Sequence, residues 1–297
     1  MPLTALRIGE NDYPIDLALQ KAENGELSDW TYELLNALLA EQQDRGDTLS
    51  TTALTSKCFR SEYLKRRLDY TDDPHKLWAA FRGTMYHGRL EAYCHPRNIA
   101  EARYHVELDG LGSLSGSPDL VDPVRGVLYD FKTNKENPRY SKPWPEHVLQ
   151  VQINRWLVDH AVTVDHEGIS YLLVYNGDDP TVANEVLLNR MRFIPPKWHS
   201  LMLVYMDDKG PKLMTVKRSE EVIGKNGRPK NVNVPDVWSD QRVENVIRRL
   251  YAERKEALDS NTVPAIPDAF ARQQHVLCGY CPVRTKCWDL EMEKGSE

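Results

Sequence analysis

Two carboxylates and a lysine near the middle of the chain have the types and spacing to do chemistry together. In SGSPDLVDPVRGVLYDFKTNK, residues 115–135, Asp130 and Lys132 stand two apart in an apolar run, and Asp119 lies upstream of them. Side chains alternate along a strand, so positions 130 and 132 share a face. Asp122-Pro123 is a turn signal that folds the two halves into adjacent antiparallel strands and aims Asp119 at the same point. Two converging carboxylates suit a hard divalent cation, Mg2+ or Mn2+, which takes oxygen ligands. The Phe131 backbone carbonyl offers one more oxygen. Lys132 is then placed to orient and help deprotonate a water attacking a phosphodiester, or to stabilise the charge that develops there. The bland use of the same residues is an Asp–Lys salt bridge on a strand. The upstream Pro118-Asp119 and the apolar VLYDF run favour the metal.

The second constellation is sulfur. The cysteines are Cys58, Cys94, Cys278, Cys281 and Cys287, an odd count that argues against a disulfide framework. Three of them crowd into CGYCPVRTKC, with two and then five residues between them. Such a knot of thiolates binds zinc or an iron–sulfur cluster, and either needs a fourth ligand. Cys94 is most simply a small buried residue.

These groups need elements to hold them. Residues 28–44 read as an amphipathic helix with Ser28 as its N-cap, and 51–70 as a second helix carrying Cys58 and a basic face. Residues 74–95 read as a longer helix on which Gly83, His87 and Glu91 recur every four residues. A β region follows: RYHVELDG, LGSLSGSPDLVD and VRGVLYDFKT. After the polar loop TNKENPRYSKPW comes a helix, PEHVLQVQINRWLVDH, started by Pro145. ISYLLVYNG reads as a buried strand, and 239–258 as a helix capped by Ser239. A proline-marked linker leads to the terminal cysteines.

Pro118-Asp119 followed by Asp130-Phe131-Lys132 resembles the PD-(D/E)xK nuclease pattern. GTMYHGRLE, residues 83–91, resembles the helical motif that precedes it in RecB-like nucleases. That resemblance makes His87 a third metal-site residue beside Asp119 and Asp130. The family also carries a glutamine followed four residues later by tyrosine on the helix after the catalytic strand. Here Gln150 is followed by Asn154, and the other register gives Gln152 and Trp156; entry through PEHVLQ favours Gln150. In the iron–sulfur branch of the family, one cysteine lies upstream of the core and three close the chain. Cys58 and the Cys278, Cys281, Cys287 group match that arrangement, which implies a [4Fe-4S] cluster, with zinc as the alternative. The chain is thus similar to the CRISPR-associated exonucleases and their phage relatives.

The resemblance implies an α/β, restriction-endonuclease-like core, a central mixed sheet flanked by helices, with a helical N-terminal segment and a C-terminal iron–sulfur clamp. The expected divisions are a helical region 1–73, a core 74–260 with an insertion near 180–235, and a cluster region 261–297. The implied activity is metal-dependent exonucleolytic cleavage of DNA, on single strands or free ends. Proteins of CRISPR adaptation or recombination are the implied partners.

Lys135, Arg139 and Lys142, on the loop leaving the Asp130 strand, are candidate phosphate contacts. Arg60, Lys65, Arg66 and Arg67 are weaker ones, and Lys225, Arg228 and Lys230 read as solvated. The net charge of −6 does not advertise nucleic-acid binding, but a small basic groove is compatible with it. Among 297 residues no apolar run reaches transmembrane length, and the N-terminus lacks the leader pattern of a basic stretch before an apolar one, so a cytoplasmic protein is expected. A non-catalytic DNA-binding or assembly module built on the cluster is the competing function. A helicase–nuclease would need its motor elsewhere, since no GxxxxGK[ST] loop is present.

Overall fold

The structure, a computed structural model, describes residues 3–40, 49–133, 142–172, 194–195, 197–207, 210–223, 228–268, 276–279 and 281–294. Its elements in chain order begin with β1 (Leu3–Ile8), β2 (Asn11–Pro14), α1 (Ile15–Glu23), α2 (Tyr32–Ala40), β3 (Leu49–Ser50), α3 (Thr51–Thr55), α4 (Phe59–Arg67), β4 (Tyr70–Asp72) and α5 (Pro74–Ala92). Next come β5 (Ile99–Ala100), β6 (Arg103–Leu108), β7 (Gly112–Gly116), β8 (Leu120–Asp122), β9 (Val127–Thr133) and α6 (Pro145–His160). The chain continues through β10 (Thr163–His166), β11 (Ile169–Leu172), β12 (Ser200–Asp207), β13 (Gly210–Thr215), β14 (Lys217–Ile223) and β15 (Pro229–Pro235). It ends with α7 (Asp240–Asp259), α8 (Val276–Gly279) and α9 (Arg284–Lys294). Two compact units result: Met1–Thr48, Ser56–Met85 and Glu253–Glu297 form one, and Leu49–Thr55 with Tyr86–Ala252 the other.

The first unit is not wholly helical at its start, contrary to expectation. β1 turns through Gly9, at φ +63°, into an antiparallel partner β2, and its other edge pairs in parallel with β4. Residue 9 needs the left-handed conformation that glycine adopts freely. Leu3 and Leu6 of β1 pack with Ala18, Ala22, Trp30, Leu35, Leu38 and Leu77 into one buried cluster. The α2 helix is capped by Thr31, whose Oγ1 accepts from the Leu34 N–H at 3.3 Å, rather than by Ser28. The single helix expected over 51–70 is two helices and a strand. Cys58, in a non-helical conformation (φ −127°, ψ 84°), stands at the N-cap of α4 and breaks it from α3.

The second unit holds two five-stranded mixed sheets instead of one central sheet, in the orders β11-β10-β6-β7-β3 and β13-β12-β9-β8-β5. In the latter, β9 pairs antiparallel with β8 and parallel with β12, with Asp130 opposite Leu203 and Lys132 opposite Tyr205. Part of the stretch expected as an insertion, 180–235, is therefore core sheet. β12 reads as an inserted segment only because its parallel partner lies far back in the sequence. The hairpin β14-β15 from the same stretch is an exposed two-stranded ribbon; residues 180–193 lie outside the described residues.

The α6 helix meets strands of both sheets, β6 and β7 of one and β9 and β12 of the other. Every residue from Val151 to Val158 is accordingly buried, polar ones included. Gln152 and Arg155 are tied down, whereas Asn154 Oδ1 and Trp156 Nε1 have no hydrogen-bond partner among the described residues. Gln152 donates to the Asp236 carbonyl at 2.6 Å and accepts from the Trp238 N–H at 3.0 Å. Arg155 donates to the Trp238 carbonyl at 2.8 Å and pairs with Asp159 and Asp240. Pro145 opens this helix as expected. Ser239 caps α7, accepting from the Arg242 N–H at 3.4 Å.

Candidate active site and thiolate cluster

The Asp122–Gly126 turn brings Asp119, just before β8, alongside β9. There the Phe131 N–H donates to Asp119 Oδ2. Phe131 also sets its ring edge-on to His87, with centroids 6.3 Å apart. His87 reaches the same point from α5: its Nδ1 lies 3.0 Å from Glu101 Oε1 and 3.5 Å from Asp119 Oδ1. Among the described residues, His87, Glu101 and Asp119 form a group whose ligand atoms all lie within 4.8 Å of one another. Glu101 sits at φ +51° between β5 and β6, with its N–H donating to the Asp119 carbonyl. That left-handed backbone turns its carboxylate toward His87, and holding a glutamate there costs energy. Sequence reasoning missed Glu101, because a lone acid in a turn has no spacing that marks it.

Asp130 and Lys132 share a face as the strand period requires. Lys132 Nζ lies 2.7 Å from Asp130 Oδ2 and donates to Gln150 Oε1 at 2.9 Å. Asp130 is 1% exposed, and neither of its oxygens has an aligned hydrogen-bond donor among the described residues, so its link to Lys132 is an ion pair only. Asp130 thus stands beside the group at His87, to which Glu101 adds a carboxylate that the sequence did not mark. The Phe131 N–H is the group of that residue that meets Asp119. Gln150 meets the lysine, which separates it from Gln152, the structural residue described above. Asn154, where the family pattern has tyrosine, is buried against Gly116.

Electrostatics mark the same spot. Burial, reinforced by the nearby Asp130, pushes the Asp119 carboxyl up to about 8. The hydrogen bond to Glu101, helped by the charge on Asp119, raises His87 to about 8 against the opposing effect of burial. A site that holds its ligands protonated in this way, with a buried aspartate lacking donors alongside, is one a divalent cation would relieve. The donor set of carboxylate oxygens and one imidazole fits Mg2+ or Mn2+.

Four of the five cysteines lie in the other unit. Cys58 leads into α4, Cys278 lies in α8, Cys281 follows it and Cys287 lies in α9. Burial raises the Cys58 thiol, and the neighbouring sulfurs of Cys281, Cys287 and Cys278 push the same way. Arg60 Nε donates to Cys287 Sγ at 3.1 Å, and Ser61 Oγ shares a hydrogen bond of 3.2 Å with Cys281 Sγ. Arg60 is fully buried and also donates to the carbonyls of Cys287 and Pro264 at 2.9 and 2.7 Å. It is therefore not the phosphate contact its place on a basic helix suggested. Its neighbours come from more than two hundred residues away, which no local pattern could reveal. Lys142 is exposed, whereas Lys135 and Arg139 lie outside the described residues.

No curated protein matches the sequence. A solved structure described as "Crystal structure of SSO0001" is similar at 14% identity and a TM-score of 0.44, over 85% of this chain and 92% of that one. The family model of the PD-(D/E)XK nuclease superfamily matches residues 6–288. That span takes in His87, Asp119, Asp130, Lys132 and all five cysteines, and by it the chain belongs to the PD-(D/E)XK nuclease superfamily.

Proposed function

We propose that this protein is a RecB-like, metal-dependent DNA exonuclease that hydrolyses phosphodiesters on single strands or free ends. The observation that carries the reading is Lys132. Its ammonium is held between Asp130 and Gln150, beside the group formed by His87, Glu101 and Asp119. A lysine serving only a salt bridge has no need of a second fixed partner next to converging ligands. His87, Glu101, Asp119 and Asp130 would hold Mg2+ or Mn2+, which when bound polarises the phosphoryl oxygens and acidifies water. Gln150 fixes the Lys132 side chain, so its ammonium can orient the attacking water and stabilise developing negative charge without first paying to order a flexible chain.

In the same reading Cys58, Cys278, Cys281 and Cys287 hold a [4Fe-4S] cluster that fastens the chain's early helical segment to its tail. The donors from Arg60 and Ser61 suit cluster thiolates, whose charge such bonds stabilise. The proposed setting is cytoplasmic DNA processing in CRISPR adaptation, recombination or repair.

The test is degradation of end-labelled single- and double-stranded DNA, with closed circular single strands as control, in the presence and absence of Mn2+. Linear single strands should be degraded only with metal, and circles should persist. A well-folded, cluster-loaded protein that cleaves no DNA with either Mg2+ or Mn2+ would refute the reading.

A further inference from the structure

Beside Asp119 lies a cavity of about 420 Å³ that the site described above does not use. Its wall is the last turn of α5 and the segment that follows, with Arg89, Tyr93, Cys94 and Asn98, and it opens onto Asp119 and Phe131. Tyr93 is 71% exposed, a large apolar surface left in water at the mouth of a cavity. The Arg89 guanidinium lies over one face of its ring, 4.2 Å from the centroid. At that exposure most of the Tyr93 surface remains in water and can serve for stacking. Inside, Asn98 Oδ1 is buried and has no hydrogen-bond partner among the described residues. An orphaned acceptor costs free energy unless something supplies a donor.

An exposed aromatic ring, a cation and an unpartnered acceptor, all next to a candidate metal ligand, match the parts of one nucleotide. We propose that this cavity binds the terminal nucleotide of a DNA strand. The base stacks on Tyr93, the phosphate lies toward Arg89, and a base or sugar donor satisfies Asn98. The volume is in the range of small-ligand sites and admits a single nucleotide rather than a run of them. This inference rests on the nuclease reading and deepens it. A pocket for one terminal nucleotide beside the metal site places the scissile bond one nucleotide from the end, so the product is a mononucleotide.

Cys94 lines the same cavity and gives a readout that needs no catalysis. The cluster-loaded protein is treated with N-ethylmaleimide with and without dAMP, dCMP, deoxyribose 5-phosphate or inorganic phosphate, and Cys94 labelling is read by peptide mass spectrometry. The nucleotides should protect Cys94, and deoxyribose 5-phosphate and inorganic phosphate should do so far less. Tyr93→Ala should weaken dAMP binding by roughly 5- to 150-fold, the usual weight of one base–aromatic stack. Arg89→Ala should weaken protection by dAMP and leave Mn2+ binding unchanged. Equal labelling at saturating dAMP, or a well-folded Tyr93→Ala protein that binds dAMP like the parent, would overturn the proposal even if DNA is degraded normally. Protection of Cys94 that is lost in Tyr93→Ala would uphold the pocket even in a protein that cleaves nothing, and the nuclease reading would then fail alone.

Discussion

Raising the pH from about 6.5 to about 8 should strengthen Mn2+ binding steeply, because the ligands must first lose protons. In the metal-free site Asp119 and His87 each titrate near 8, against ordinary values of 3.8 and 6.5. Each proton displaced weakens the apparent affinity about tenfold for every pH unit below its pKa. The carboxylate of Asp119 and the imidazolium of His87 attract each other, so the site surrenders between one and two protons. Each group is still half protonated at pH 8, so over those 1.5 units of pH the gain is roughly 15-fold for one proton and roughly 250-fold for two. Stability runs the opposite way without metal. Both folded values lie above the unfolded ones, so the folded site binds the extra protons and the metal-free protein loses stability as pH rises through about 8. Titration calorimetry with Mn2+ in buffers of different ionisation enthalpy counts the released protons directly. Asp119→Asn should lower that count along with the affinity. A Mn2+ affinity that changes less than about threefold over this range, or a proton count near zero, would refute the assignment of Asp119 and His87 as metal ligands.

Lys132→Ala should leave Mn2+ bound while slowing cleavage by about 10²- to 10⁴-fold, whereas Asp130→Ala should weaken both metal binding and cleavage; normal cleavage by a well-folded Lys132→Ala protein would leave only a salt bridge. The protein purified without air should be brown, with visible absorbance lost on oxidation, and stoichiometric zinc without iron or sulfide would sink the cluster. Arg60→Met should cost cluster retention and lower the melting temperature together, since Arg60 meets a cluster cysteine and two carbonyls. Gly126→Ala should destabilise the β8–β9 turn strongly, because a Cβ there would sit 1.9 Å from the Lys197 carbonyl oxygen at φ +61°; a melting temperature within a degree or two of the parent would show that the turn can relax.

What could be read from the sequence was whatever local period and local turn chemistry determine. The two-residue period of β9 put Asp130 and Lys132 on one face, and the Asp122-Pro123 turn laid Asp119 beside them; both are consequences of backbone geometry within fifteen residues. His87 and Cys58 were legible through resemblance alone, since nothing about a helical histidine or a lone cysteine fixes its partner. The misses have the opposite character. Glu101 joins the site through an unusual backbone conformation, β12 joins the sheet through a parallel pairing with a distant strand, and Arg60 is buried by residues from the far end of the chain.

The same contrast explains why Arg60 was misread. A basic residue on a short helix after a cysteine is indistinguishable in sequence from a solvated phosphate contact. Burial reverses its meaning, because a guanidinium removed from water must find acceptors for its fixed fork of donors. Here it finds a thiol sulfur, two carbonyls and, 3.2 Å away, the Glu291 carboxylate. A cation in that position lowers the cost of bringing cysteine thiolates together and so favours the charged state of the neighbouring Cys287 over its free thiol. Cys58, two residues before it, is raised by burial and by its sulfur neighbours, so the fold without a cofactor works against thiolate formation at that end. In the proposed reading the four cysteines receive a group that supplies its own positive charge, and Arg60 adds to that charge from outside. The buried arginine and the cysteines are then parts of one device.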